Sequence, residues 1–289
     1  MKKKYDVIIC VGVKDLFIVQ TTVERISSFF DAYKIYLITK RNYFVFFKRL
    51  LKKCNNVFLI DEDELIEGLS KDNLMKYLSL HKPFLLSKSG WYFQQFLKIA
   101  FAISSYSREY YLIWDADTIP VRHISFFEQE RVLFCLKDEY HEPYFFTLMR
   151  LIGFKKEISS SFIAEHMMVK VEYMKDLVAT IESNEELLGY HYWEKIVSAI
   201  DSNVLLRFSE FETYGTFISQ KYPESFLFRT LQTYRRAGEI YGRYISKKEL
   251  NNINGLDTIS LEPADSPRLL RRICQFPLRV AIKLISVFY

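Results

Sequence analysis

Asp115 and Asp117 stand one residue apart, directly after the apolar run Tyr110-Tyr111-Leu112-Ile113-Trp114 and before Thr118-Ile119-Pro120. Two carboxylates at that spacing make poor core material, because an acid is almost never fully buried without a partner. At the end of a strand both can turn onto one hard cation and hold it through oxygen. Mn2+ or Mg2+ suits such a donor set, with a nucleotide diphosphate completing the shell. A cation held there neutralises charge building on a departing diphosphate. The competing role for the pair is a plain turn or cap. Its place in mid-chain, after several strand and helix alternations, favours the ligand reading.

Further residues have the right chemistry. Glu210 and Glu212 lie within Ser209–Gly215, and Glu165 precedes His166. Any of these carboxylates, set on an acceptor hydroxyl, can act as a general base. The alternative is an exposed helix or loop acid. His166, followed by Met167-Met168-Val169, is a candidate third metal ligand or acceptor contact, or else a structural residue of an apolar strand. His123, six residues beyond Asp117, is its rival, and His191 a more distant one. Gln94 and Lys98 are four apart and share one helical face. The acids Asp61-Glu62-Asp63-Glu64 read as helix-opening chemistry instead, since negative charge is favoured at a helix N-terminus.

These residues need elements to position them. Asp6–Val13 is a β-branched run that reads as a buried parallel strand, and Phe17–Phe30 has helical spacing. Lys34–Thr39 and Asn56–Ile60 are further strands, and a helix is expected from Asp61 to Leu69. Ser89 opens a helix through about Ser105, followed by the strand Tyr110–Trp114. Val132–Leu136 and His166–Val171 are candidate strands, and Glu172–Ala199 looks helical. This alternation predicts an α/β fold: a mixed, mainly parallel sheet flanked by helices, with ligands beyond the carboxyl ends of the strands. Residues 1–262 are expected to form one catalytic domain. Pro263 to Pro267 marks its boundary with a tail, 263–289.

The stretch Trp91-Tyr92-Phe93-Gln94-Gln95-Phe96-Leu97-Lys98, then Tyr111-Leu112-Ile113-Trp114-Asp115-Ala116-Asp117-Thr118, resembles the helix-then-DxD arrangement of GT-A glycosyltransferases. The glycogenin-like family is similar at the DADT strand. A bacterial group associated with polysaccharide loci is more similar still, through Gly90–Lys98, Asp115–Thr118, Glu165-His166-Met167 and Ser209–Gly215. The resemblance implies a Rossmann-like GT-A fold, a nucleotide-sugar donor, expected to be UDP-linked, and a glycan or lipid-linked glycan acceptor. It places Val11, Gly12, Lys14 and Asp15 beside the nucleotide base, with Gly12 leaving room for base or ribose. It also gives Lys98 a phosphate or sugar contact, Gln94 the same face, Gln95 donor hydroxyls, and Asp115 donor as well as metal. A local match remains to the nucleophile motif of haloacid-dehalogenase-type phosphatases, in which Asp115 would attack phosphate. Their later acidic pair is missing downstream. A non-catalytic GT-A-fold protein is the third possibility.

Net charge is +5, and residues 268–289 hold Arg268, Arg271, Arg272, Arg279 and Lys283 with no acid. The remainder is therefore neutral, which argues against nucleic-acid binding and assigns the charge to the tail. Arg268, Arg272, Gln275, Arg279, Lys283 and Ser286 draw a polar stripe opposite Leu269, Leu270, Ile273, Phe276, Val280, Leu284, Val287 and Phe288. Pro277 is expected to kink or split this amphipathic helix. Such a segment suits the plane of an anionic bilayer, or else packs on the catalytic domain or a second subunit of a homo-oligomer. The four cysteines form no CxxC pair and read as reduced, mostly buried thiols. Met1-Lys2-Lys3-Lys4 leads no signal-peptide core, and no apolar run is long enough to span a membrane. The expected location is the cytoplasm, peripheral on the inner face of the membrane.

Overall fold

The computed structural model describes residues 3–201 and 204–288, so Met1 and Lys2 of the basic N-terminus lie outside the described residues. The chain opens with β1 (Tyr5–Cys10), every side chain of which is buried. In α1 (Leu16–Phe29) the inward residues Leu16, Val19, Val23 and Ile26 recur at helical spacing. Then come β2 (Ala32–Thr39), α2 (Phe44–Leu50) and β3 (Val57–Asp61). Next, α3 (Lys71–His81) starts at Ser70, whose side chain accepts the Asn73 N–H. It is followed by α4 (Ser89–Ala100) and the wholly buried β4 (Tyr110–Trp114).

Short strands β5 (Thr118–Pro120), β6 (Phe127–Glu128) and β7 (Arg131–Cys135) precede α5 (Glu142–Ile152) and β8 (His166–Lys170). Helices α6 (Val171–Glu182), α7 (Tyr192–Ala199) and α8 (Glu210–Lys221) follow. The chain then runs through β9 (Phe226–Arg229), β10 (Thr233–Tyr234), α9 (Gly238–Tyr241), α10 (Lys247–Asn251) and β11 (Thr258–Ser260). It ends in α11 (Leu269–Cys274) and α12 (Phe276–Phe288). The fold is mixed α/β, with parallel strand pairs flanked by helices, as expected.

The chain divides into two compact units. The first comprises Asp61–Ile113 and Phe127–Arg229. Within it β4 neighbours β8, β7 pairs β6 antiparallel and β9 parallel, and α6 packs on β8. The rings of Phe134, Phe162, Tyr214 and Phe226 pack together in it. The second unit comprises residues 3–60, Trp114–Phe126 and 230–288. There the strand order is β3-β2-β1, with Val7 to Cys10 of β1 in parallel register with Ile35 to Ile38 of β2. A second sheet, β10-β11-β5, is roofed by α1 over a core of Ile18, Ile119, Ala237, Ile259 and Leu261. Residues 263–288 fall inside this unit.

Three expectations are corrected. Residues 62–70 form turns rather than a helix: the Asp63 side chain accepts the Lys71 N–H, and Gly68 takes a left-handed φ of 82°. The helix expected over Glu172–Ala199 is broken between α6 and α7, where Gly189 has φ 106° and Glu194 folds back onto the N–H groups of Tyr190 and His191. Cys274 is exposed, while Cys10 and Cys135 are buried.

Candidate active site

The aspartate pair sits in the second unit, immediately after the chain leaves β4. The Trp114 indole donates to the Thr118 carbonyl at 2.7 Å, and the Thr118 N–H donates to the Asp115 carbonyl at 3.1 Å. This closes a tight turn with Ala116 buried at its centre. Thr22 of α1 pins the turn by donating to the Ala116 carbonyl at 2.8 Å. Leu261 N–H binds the Asp117 carbonyl at 2.9 Å, and the Thr118 and Ser260 hydroxyls lie 2.8 Å apart. With its backbone fastened on three sides, the turn leaves the two carboxylates half-buried. The motif is therefore a turn and a charge cluster at once.

Asp15 joins this cluster. It ends a short 3-10 turn, Val13–Asp15, that follows β1, and its side chain is buried. Arg243 bridges the acids: its guanidinium is 2.5 Å from Asp15 Oδ1 and 3.6 Å from Asp117 Oδ2, and also donates to the Leu261 carbonyl. Burial, reinforced by Asp115 and Asp15, pushes the Asp117 carboxyl up to about 7 despite Arg243. Asp15 is also raised, by burial first, against the pull of Lys14 and Arg243. Three carboxylates here meet one guanidinium and, at Asp15, the Lys14 ammonium.

Hard oxygen donors in surplus fit a divalent cation, and Asp115 and Asp117 are the residues that would hold it. Among the described residues no group of three or more His, Cys, Asp or Glu is arranged to hold a metal unaided. Oxygens from a bound ligand would complete such a shell. Val11 N–H is tied to the Ile38 carbonyl and Asp15 N–H to the Gly12 carbonyl, both at 3.0 Å. A Cβ on Gly12 would meet nothing closer than 3.9 Å, and its φ is ordinary, so the fold itself does not require glycine there. His123, also in this unit, is exposed.

The other sequence candidates lie in the first unit. Lys98 Nζ is 2.7 Å from Glu210 Oε1, both side chains are almost wholly buried, and the ammonium lies over the Phe211 ring at 4.6 Å. Gln95, likewise buried, accepts the Glu210 N–H at 3.1 Å, while Gln94 is half-buried. Glu212 is wholly engaged: Oε2 meets Lys156 at 2.6 Å, and Oε1 accepts from the Ser161 hydroxyl at 2.6 Å and the Phe162 N–H at 3.2 Å. These glutamates are thus not exposed acids of a helix start.

Gly215 explains the end of their block. A Cβ there would stand 2.3 Å from the Phe162 ring, so glycine lets that ring lie against α8. Tyr214 completes the arrangement by accepting the Lys170 N–H at 3.0 Å.

Glu165 immediately precedes β8 and His166 opens it. Glu165 is buried with φ 61°, a left-handed conformation uncommon outside glycine, and Lys137 is 4.0 Å from its carboxylate. His166 is buried, and its Nε2 is 3.4 Å from Arg229. Burial, with Arg229 adding to it, pulls this imidazole down to about 3, so it is neutral at physiological pH. His191 is exposed and caps α7.

Sequence reading missed Arg243, Lys156, Lys137 and Arg229. Arg243 lies 228 positions from Asp15, and only the neighbouring Gly242, with φ 67°, hinted at a special backbone there.

Residues 14–239 match the model of a family of unknown function, DUF6492. The chain belongs to that family. The match ends just before Arg243 and the two C-terminal helices. No curated protein matches the sequence.

Among solved structures, mouse xyloside xylosyltransferase 1 is similar at 15% identity and a TM-score of 0.48, covering 92% of this chain and 100% of its own. The galactosyltransferase LgtC, in complex with donor and acceptor sugar analogues, is similar at 8% identity and 0.46, covering 90% and 88%. The bifunctional glycosyltransferase WbbM stands at 10% and 0.42, covering 93% of this chain and 47% of that one. These structural neighbours are GT-A-type glycosyltransferases.

Proposed function

We propose that this chain is a metal-dependent glycosyltransferase. It would move a sugar from a nucleotide-sugar donor, UDP-linked by the resemblance of its sequence blocks, to a glycan or lipid-linked glycan acceptor of bacterial surface polysaccharide. One observation carries the reading: Asp15, Asp115 and Asp117 gather at a fastened turn about Arg243, with Lys14 beside Asp15, and Asp117 is still pushed up to about 7. A cluster with surplus negative charge is a costly arrangement unless something cationic is received there.

Asp115 and Asp117 would hold Mn2+ or Mg2+, which supplies Lewis-acid stabilisation to the leaving diphosphate. The chain's own residues do the rest. Arg243 offers a second positive group at the same carboxylates, free to pass from Asp117 to a phosphate oxygen through the same N–H donors. Val11, Gly12 and Lys14 follow β1 and would lie beside the nucleotide base. Glu165 is a general-base candidate by residue type, as Glu210 and Glu212 are. In Glu212 both oxygens are committed, Oε1 to Ser161 and Phe162 and Oε2 to Lys156, which suits a scaffold.

Calorimetric titration with a panel of nucleotide sugars, with and without Mn2+, tests the reading. Binding that requires Mn2+ and is followed by slow donor hydrolysis supports it. Phosphate release from simple phosphomonoesters would replace it with a phosphatase using Asp115. Binding without any turnover would leave a non-catalytic carrier of the fold.

A further inference from the structure

No described helix is long and apolar enough to cross a membrane, and α12, at 13 residues, spans about 20 Å. The C-terminal helices nevertheless present an unusual surface. They are fastened to their own unit along one side only. Gln275, the residue between α11 and α12, is buried. Its amide donates to the carbonyls of Tyr241 at 2.7 Å and Tyr244 at 2.9 Å, and its oxygen accepts the Arg243 N–H at 2.8 Å.

Gly242 makes this latch possible, since a Cβ there would stand 2.3 Å from the Gln275 side chain. Arg271 pairs with Glu249, and Arg268 N–H reaches the Glu239 carbonyl at 3.4 Å. Leu278, Ile282 and Ile285 follow Gln275 at helical spacing and are half-buried, and α12 packs beside the Val13–Asp15 turn. Gln275 therefore belongs to the inward side and not to the polar stripe the sequence suggested.

The docking side accounts for the packing of these helices and leaves a second apolar face uncovered. Leu270, Ile273, Phe276, Val280, Leu284 and Val287 are between 40% and 78% exposed. Arg272, Arg279 and Lys283 are exposed too, and with Ile273, Phe276 and Val280 they line one groove. No Asp or Glu occurs after Asp265. A row of large exposed apolar side chains is costly in water and marks an interaction surface. Cations set among them, with no acid to balance them, single out a partner that is apolar below and anionic above.

We propose that the outward face of α11 and α12 lies in the plane of an anionic lipid surface. The aliphatic side chains enter the acyl boundary, and Arg272, Arg279 and Lys283 meet the phosphate headgroups. The Gln275 latch then holds the rest of the unit, with Asp15 and Arg243, at that surface. The proposal does not rest on the transferase reading, because vesicle binding is measured without donor or acceptor.

Co-sedimentation of the full chain with phosphatidylglycerol-rich vesicles, compared with pure phosphatidylcholine vesicles, provides the test. Binding should be strong to the anionic vesicles at low salt, weak to the neutral ones, and reduced by added salt. Replacing Arg272, Arg279 and Lys283 together by Gln should weaken it about 100-fold, at roughly fivefold per charge. Ile273→Glu with Leu284→Glu should abolish it. All five positions are exposed, so the melting temperature of both variants should match the parent. Absence of binding to anionic vesicles, or equal binding to neutral ones, overturns the proposal. So does a stable dimer that the Ile273→Glu, Leu284→Glu variant dissociates while vesicle binding persists, since the face would then belong to a second copy.

Discussion

The two units treat charge in opposite ways. In the first unit each of the buried glutamates of α8 has its own lysine: Glu210 with Lys98, Glu212 with Lys156. Hydrogen bonds from the Ser161 hydroxyl and the Phe162 N–H take up further lone pairs of Glu212. In the second unit three carboxylates, Asp15, Asp115 and Asp117, gather about Arg243, with Lys14 also acting on Asp15, and burial with neighbouring carboxylates raises Asp15 and Asp117. Balanced buried charge is architecture, because the protein alone completes it. Unbalanced charge at the mouth of a strand waits for something to complete it. Residue type does not make this distinction, since both units use the same acids and bases.

The comparison breaks first at Lys156. If the Lys156–Glu212 pair is structural, Lys156→Ala strands a buried carboxylate, which costs about 3–5 kcal/mol. Urea denaturation should show that loss, and Lys98→Ala should behave likewise at Glu210. Adding Glu212→Gln to Lys156→Ala should recover part of it. A variant that loses donor binding while keeping full stability would instead move these lysines into the binding site.

At the aspartate turn the expected pattern is reversed. Asp115→Asn and Asp117→Asn should each reduce transfer by 100- to 1,000-fold, about 3–4 kcal/mol of barrier, the scale seen when one charge-stabilising group is removed. Stability should hold, because the turn is fastened by Thr22, Trp114 and Leu261 through backbone atoms. Full transfer in the presence of EDTA would remove the metal from the account.

Gly215→Ala probes the scaffold more gently. The added methyl would press into the Phe162 ring, an overpacking that costs about 1–3 kcal/mol. Phe162 also supplies an N–H to Glu212, so the same shift loosens that carboxylate. Thermal melting of Gly215→Ala alone, and with Phe162→Leu, should show the second change rescuing part of the first.

How far the sequence carried this comparison depended on distance along the chain. The apolar runs of β1, β2 and β4 and the helical spacing of α1 and α4 declared themselves, since each is decided by a short window of side chains. The turn at Asp115-Ala116-Asp117 was visible for the same reason. Glu210 and Lys98 were both singled out, yet their pairing across 112 positions was not readable. Nothing local marks Arg243 as the partner of Asp15, or Gln275 as a latch rather than one more polar residue of a stripe. The acid run 61–64 misled because helix-start chemistry looks the same when a side chain, here Asp63, is spent on the next helix's first N–H. Local pattern determines elements, while the balance of charge is settled between segments that meet only after folding.

The sharpest test of unbalanced charge is the pH dependence of stability in metal-free protein. In the folded chain the Asp117 carboxyl is pushed up to about 7, against about 3.9 in an unfolded chain. Between those values the folded state binds more protons than the unfolded state. The contribution of Asp117 is therefore fully present below about pH 4 and is lost as pH rises through 7. Asp15, also raised, acts in the same direction. With EDTA present, the melting temperature of the parent should fall relative to that of Asp117→Asn from pH 5 to pH 8, a comparison that cancels the opposite contribution of His166, held neutral in the fold. Asp117→Asn should melt higher than the parent at pH 8, and the pH dependence it keeps is that of the remaining shifted groups, Asp15 and His166 among them. Mn2+ at pH 8 should raise the melting temperature of the parent and not of Asp117→Asn, because a bound cation removes the repulsion that the substitution has already removed. A constant offset between the parent and Asp117→Asn across this range would mean that the cluster is balanced by the protein's own cations, and the contrast between the two units would disappear.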